Sequence, residues 1–201
     1  MKLYCFYGAC SLAPHIALRE AGLPVEPVKV DPQTREVEGG GRLPEVNAKG
    51  YVPALVLDDG QMLTECVAIL DWIAQQDAAL RPADDMARTR QIEALSFIST
   101  ELHKQFLALF FLPGDEAKPV LTQRIAERFA HVGERLQGDF LLGDRFGVAD
   151  AFLYVMARWA SMSEMALPAT FDAYVRRMET RPAVRAALAA EGLEPALGGA
   201  R

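Results

Sequence analysis

A cysteine stands at position 10 in the run Tyr7-Gly8-Ala9-Cys10-Ser11-Leu12-Ala13-Pro14, where a strand pattern stops and a helical one starts. A helix N-terminus offers unpaired backbone N–H groups and the positive end of the macrodipole, and both favour an anion. A thiol held there ionises at lower pH than a free thiol, and the thiolate is the reactive form. Cys10 is thus a candidate nucleophile or a contact for another molecule's sulfur. The competing reading is a small buried apolar residue, a frequent setting for cysteine. Ser11 could donate a hydroxyl hydrogen bond to that thiolate, or simply cap the helix. The other cysteines, Cys5 and Cys66, make no Cys-x-x-Cys pair with it. An odd count without paired spacing points to a reducing compartment and against dithiol chemistry. Cys10 therefore reads as a thiol without a protein partner.

Further groups could serve a ligand. Glu65 and Cys66 open a helix directly after a strand. Free N–H groups there suit a carboxylate, and the Glu65 carboxylate suits an ammonium. The pair matches a ligand end carrying both charges on one carbon; the alternative is a glutamate placed for the macrodipole. Val52-Pro53 opens a strand, either as an ordinary turn or with a cis bond. Residues placed about 100° apart along a helix over 88–111 gather Ile92, Leu95, Ile98, Leu102, Phe106 and Leu109 on one apolar stripe. Ser96, Thr100 and His103 then run along its edge, as on a helix lining a cleft. A histidine beside a thiol stabilises its thiolate or relays a proton. His15 and His131 read as structural, and no metal-ligand spacing links the three histidines.

These residues need a frame. Strand patterns cover 3–7 and 25–30, with a helix over 11–21 between them. A polar, Gly-rich stretch (31–41) and a weakly defined segment to 50 follow. Strands over 53–57 and 61–64 flank Asp58-Asp59-Gly60, a strong hairpin signal, and a helix over 65–76 closes the unit. The order β-α-β then β-β-α describes a small α/β sandwich, assigned to residues 1–77. Residues 78–85 form a polar linker. Residues 86–201 read as an all-helical domain, with helices over 88–111, 120–136, 148–163, 168–179 and 182–190. The Gly198-Gly199-Ala200 tail reads as frayed.

Composition narrows the partners. The 201 residues are 51% hydrophobic and 24% charged, enough for a sizeable core. A net charge of −6 argues against nucleic acid and against an anionic membrane surface. No apolar run approaches the roughly 20 residues needed to span a bilayer. The short apolar stretch at the N-terminus lacks the form of a signal peptide. A cytoplasmic protein is expected.

The combination resembles the cytosolic glutathione S-transferases, and the bacterial beta class in particular. The resemblance rests on Met1-Lys2-Leu3-Tyr4, Gly8 to Ile16, Leu18-Arg19-Glu20, Val46 to Leu55 and Leu63-Thr64-Glu65. In the second half it rests on Glu101-Leu102-His103-Lys104 and Val148-Ala149-Asp150. It implies a thioredoxin-like N-terminal domain, an all-α C-terminal domain, a homodimer and a detoxifying transferase. Glutathione would be the co-substrate, with no metal, and an apolar electrophile would enter between the domains. By the same resemblance, Cys10 lies beside the glutathione sulfur, can form a mixed disulfide with it, and is not always essential. Pro53 is cis, so that Val52 pairs with the cysteinyl backbone of glutathione. Ser96, Thr100 and His103 contact glutathione, the histidine near its sulfur. Arg35 stands where the class usually has a lysine for the glycine carboxylate, and arginine can bind that group bidentately. Glu65 and Cys66 would hold the γ-glutamyl end, Cys66 replacing the usual Gly or Ser. Gly147 replaces the usual Ser or Thr cap before Asp150, and Tyr7 a usual proline. Phe106, Phe110, Phe111 and Trp159 could wall the electrophile pocket, though core packing also accounts for them. Two other readings stay open: a glutathione-dependent disulfide or peroxide reductase working through Cys10, and a non-catalytic glutathione-binding protein.

Overall fold

Alternating burial shapes the first strand, β1 (Lys2–Cys5), in which Leu3 and Cys5 are fully buried and Lys2 is exposed. The computed structural model describes residues 1–136 and 138–196; the expected fraying of residues 198–200 lies outside them. β2 (Glu26–Lys29) pairs parallel with β1. β3 (Ala54–Val56) pairs antiparallel with β1, and β4 (Met62–Thr64) antiparallel with β3. The order is β2-β1-β3-β4. The β3–β4 turn works as its residues suggest. Gly60 takes φ +86°, open to glycine at little cost, and Asp59 Oδ1 accepts the Gln61 N–H at 2.9 Å.

Helix α1 (Leu12–Glu20) connects β1 to β2, and its Leu12, Ala13, Ile16, Ala17 and Leu18 are completely buried. The weakly defined segment contains a single helical turn, α2 (Leu43–Val46), too short to show a period. Its Leu43 is held in a small apolar cluster with Val30 and Val52. Helix α3 (Cys66–Gln76) follows β4.

Only helices follow among the described residues. They are α4 (Asp85–Phe97), a π-helical segment (Ile98–His103), α5 (Lys104–Phe111), α6 (Lys118–Arg135), α7 (Val148–Met162), α8 (Thr170–Thr180) and α9 (Pro182–Ala190). The helix expected over 88–111 runs without interruption from Asp85 to Phe111, but its middle turns are wider, with i→i+5 bonds. The stripe shifts with it. Leu95, Ile98, Leu102 and Phe106 are buried as expected, but Ile92 is exposed and Gln91 takes its buried place. Leu109 is half-buried.

Helix α7 is the centre of this half. Every residue from Val148 to Ala160 is buried, and α1, α3, α4, α8 and the π-helical segment pack around it. Its start has no side-chain cap at Gly147. Asp150 supplies the acceptor instead: Oδ2 takes the Gly147 N–H at 2.9 Å and Oδ1 the Leu141 N–H at 2.8 Å. The Tyr174 hydroxyl donates to the Asp150 carbonyl at 3.0 Å and lies 3.3 Å from Oδ1. A bidentate pair, Arg181 Nε and Nη2 to Glu20 at 2.6 and 2.8 Å, ties the start of α9 to the end of α1.

Candidate active site

The β1–α1 turn that carries Cys10 is clamped from the helical half. Gly8 has φ +78°, a conformation glycine adopts freely. Its N–H donates to Glu191 Oε2 at 2.8 Å, and its carbonyl accepts the Trp159 indole N–H at 2.9 Å. Glu191 Oε1 lies 2.8 Å from His15 Nδ1, and Arg19 Nε donates to His15 Nε2 at 2.9 Å. Because arginine only donates, Nε2 is the acceptor and the imidazole proton sits on Nδ1, facing Glu191. His15 is therefore part of the clamp, at zero exposure. Nothing local in the sequence marks Glu191, which acts from 183 positions away. Glu191→Ala strands the Gly8 and His15 donors, and is expected to lower stability by about 2–3 kcal/mol in urea unfolding.

Cys10 is buried just before α1. Its Sγ lies 3.8 Å from the Val52 carbonyl oxygen, beside the Val52–Pro53 bond, which is cis. Ser11 does neither expected job, because its hydroxyl donates backwards to the Phe6 carbonyl at 3.0 Å. Cys10 is in no disulfide, but the fold brings a second thiol against it. The start of α3 packs against the start of α1, and Cys66 Sγ donates to the Cys10 carbonyl at 3.6 Å. The Cys66 side chain beside it, with His103 close by, lowers the Cys10 thiol below the ordinary thiol range against the opposing effect of burial. The Cys10 sulfur and burial push the Cys66 thiol up. Burial also raises Cys5, whose thiol faces the Val28 carbonyl at 3.5 Å. The shifts thus favour the thiolate at Cys10 and the protonated thiol at Cys5 and Cys66.

His103 closes the pocket from the end of the π-helical segment. It is 9% exposed, and its Nε2 has no hydrogen-bond partner among the described residues. Its ring lies 5.6 Å from Phe152 and 5.5 Å from Trp159, centroid to centroid. The other two members of the expected edge behave differently. Ser96 and Thr100 are exposed, and the Thr100 hydroxyl is spent on the Ser96 carbonyl at 3.0 Å. An aromatic series continues outward from Trp159. Phe106 lies 5.7 Å and Phe110 5.4 Å from it, and Phe111, 77% exposed, contacts Phe110 at 6.3 Å. Tyr7 is half-buried, with the Lys29 ammonium 5.1 Å from its ring centroid.

Glu65 is placed as a helix-start residue, at φ +70°, but its carboxylate already has partners. Oε1 accepts Lys49 Nζ at 2.6 Å and the Tyr51 hydroxyl at 2.7 Å. Those two bonds hold its pKa below the usual carboxylate value. Lys49 and Tyr51 carried no assigned role in the sequence, since nothing in their spacing joins them to Glu65. Arg35, at φ +64°, lays its guanidinium 5.0 Å from the Phe6 ring centroid. Surface depressions of about 350, 620 and 400 Å³ occur beside Arg81, along Arg19 and Pro182, and against His131. None of these three is lined by Cys10.

A family model described as the glutathione S-transferase N-terminal domain matches residues 7–76. Glutathione S-transferase GstA of Escherichia coli O157:H7 is 41% identical over 201 residues, covering 96% of this chain and all of that protein. The chain belongs to the glutathione S-transferases. The structure of the bacterial beta-class glutathione S-transferase of Sphingomonas chungbukensis superposes with a TM-score of 0.90 at 46% identity, over 96% of this chain and all of that one. A sphingomonad glutathione S-transferase complexed with glutathione does so at 45% identity with the same score and coverage. This glutathione S-transferase therefore has the beta-class architecture, a thioredoxin-like unit followed by helices. The relatives favour the transferase over the reductase and the non-catalytic readings.

Proposed function

We propose that this transferase joins the sulfur of glutathione to hydrophobic, planar electrophiles, with the sulfur seated between Cys10 and His103. The observation that carries the reading is a buried imidazole, His103, whose Nε2 lacks a partner among the described residues, set close to the buried Cys10 thiol. The incoming thiol sits beside Cys10 and points its S–H at His103 Nε2, which takes the proton as the carbon–sulfur bond forms. Catalysis is then thiolate stabilisation and positioning. The aromatic series from Trp159 to Phe111 gives an apolar face for a flat electrophile approaching from solvent.

The rest of glutathione follows from the surrounding groups. Val52 presents its backbone to the cysteinyl unit as an added strand. The first N–H groups of α3, at Cys66, face the γ-glutamyl carboxylate, and its ammonium joins Lys49 and Tyr51 at Glu65. Arg35 takes the glycine carboxylate, and Ser96 and Thr100 border the ligand from α4 and the π-helical segment. Glu65→Gln is expected to weaken glutathione binding about tenfold in calorimetric titration, the size of one charge-assisted hydrogen bond. Unchanged affinity would remove Glu65 from the site.

The thioredoxin-like unit comprises residues 1–77 and the helical domain 86–201, joined by 78–85. A homodimer fits the exposed Met62 on edge strand β4 and Met86 and Ile92 on α4, which a second copy could cover. No helix among the described residues is long and apolar enough to cross a membrane, in keeping with work in the cytoplasm on detoxification. Turnover of an activated aryl halide with glutathione tests the reading. Halide release that persists in part in Cys10→Ala is expected. No turnover and no retention on immobilised glutathione would overturn it.

A further inference from the structure

Conjugation leaves Cys66 without a chemical role, since only its backbone N–H is used there. Yet its thiol is buried against Cys10, with Sγ 3.6 Å from the Cys10 carbonyl oxygen. The two residues lie 56 positions apart and meet because α1 and α3 pack with their first turns together. Cys66 is the first residue of α3, and Cys10 immediately precedes the first turn of α1. Each sulfur is therefore within reach of a helix N-terminus that stabilises a thiolate. Cys5 stands apart on β1, its thiol turned to Val28.

We propose that Cys66 is the resolving thiol of Cys10, so that the pair forms a reversible disulfide with glutathione disulfide as oxidant. The proposal rests on the reading that glutathione sulfur comes to Cys10. The Cys10 thiolate attacks one sulfur of glutathione disulfide, whose S–S bond breaks. One glutathione leaves as a thiolate and takes a proton from water, and Cys10 is left as a mixed disulfide. The negative charge that held the Cys66 thiol protonated is now gone, so this thiol ionises more readily beneath the α3 N-terminus. Its proton passes to the second leaving glutathione as the Cys66 sulfur attacks Cys10. In total two protein thiols are oxidised and one glutathione disulfide is reduced to two glutathione molecules. Excess reduced glutathione runs both exchanges backwards. The oxidised form lacks the Cys10 thiolate, so conjugation falls as the glutathione pool is oxidised.

The test incubates the full-length protein with glutathione disulfide, quenches by acid and alkylation, and maps the peptides by mass spectrometry. Wild type and Cys5→Ser are expected to show a Cys10–Cys66 disulfide and no lasting adduct. Cys66→Ser and Cys66→Ala are expected to accumulate a glutathione adduct on Cys10, at least about tenfold above wild type. Equal adduct in wild type and both Cys66 variants would overturn the resolving role while leaving glutathione at Cys10. Absence of any adduct on folded Cys66 variants would overturn the placement of glutathione itself, and with it the oxidant of the couple. Thermal melts of both variants establish that they are folded.

Discussion

His103→Ala should lower kcat/KM for conjugation by about 100-fold, the lower end of what a positioned acid–base group contributes. The loss should fall on kcat, because the proposed role sets the imidazole at the sulfur and not at the peptide backbone of glutathione. A second signature separates this role from simple packing. His103 is one of the groups that hold Cys10 as a thiolate. Without it the Cys10 thiol rises, so the acid limb of Cys10 alkylation by iodoacetamide should move to higher pH. In the wild type that limb lies below the ordinary thiol range: labelling is complete at neutral pH and is lost only as pH falls through the lowered value. His103→Phe, which refills the space beside Phe152 and Trp159, should show the same alkaline move. A limb left at its wild-type position in both variants would mean that the imidazole does not touch the thiolate.

Asp150→Ala should be the most destabilising single change in the helical half, by about 2–4 kcal/mol. It strands the Leu141 and Gly147 N–H groups and a bond to the Tyr174 hydroxyl, all at the start of the buried helix α7. The pH dependence gives the change its fingerprint. Burial raises the Asp150 carboxyl from 3.8 to about 6, overcoming three hydrogen bonds that favour the charged form. Between those values the native state binds more protons than the unfolded one, so this residue makes stability fall as pH rises through that window. Below 3.8 the residue is protonated in both states and the slope ends. Urea midpoints measured from pH 4 to 7 should therefore show a decline assignable to Asp150 that is absent in Asp150→Ala. Activity per folded molecule should change little, since no atom of Asp150 reaches the site.

Much of this architecture could be read from residue types. Asp59-Gly60 marks its own hairpin, the apolar run of α7 marks a buried helix, and Cys10 marks a strand-to-helix junction. The limits are equally specific. A π-helical segment comes from how Ile98, Leu102 and His103 seat against α7, and residue types at 100° spacing cannot announce it. So Ser96, Thr100 and His103 were expected along one polar edge lining a cleft, and the first two are exposed while His103 is buried. The Cys10–Cys66 meeting and the Glu191 clamp on Gly8 join residues 56 and 183 positions apart. Such contacts are set by helix packing and leave no local spacing to read. Glu65 was read as suited to a ligand ammonium, and residue types gave no sign that Lys49 and Tyr51 already bind its carboxylate.

The most direct measurement is a crystal structure of the protein with reduced glutathione. Its sulfur should sit in contact with Cys10 Sγ and within hydrogen-bond reach of His103 Nε2, with the γ-glutamyl end at the first turn of α3. A glutathione sulfur placed away from both residues, with Cys10 and Cys66 still facing only each other, would contradict the assignment of this site.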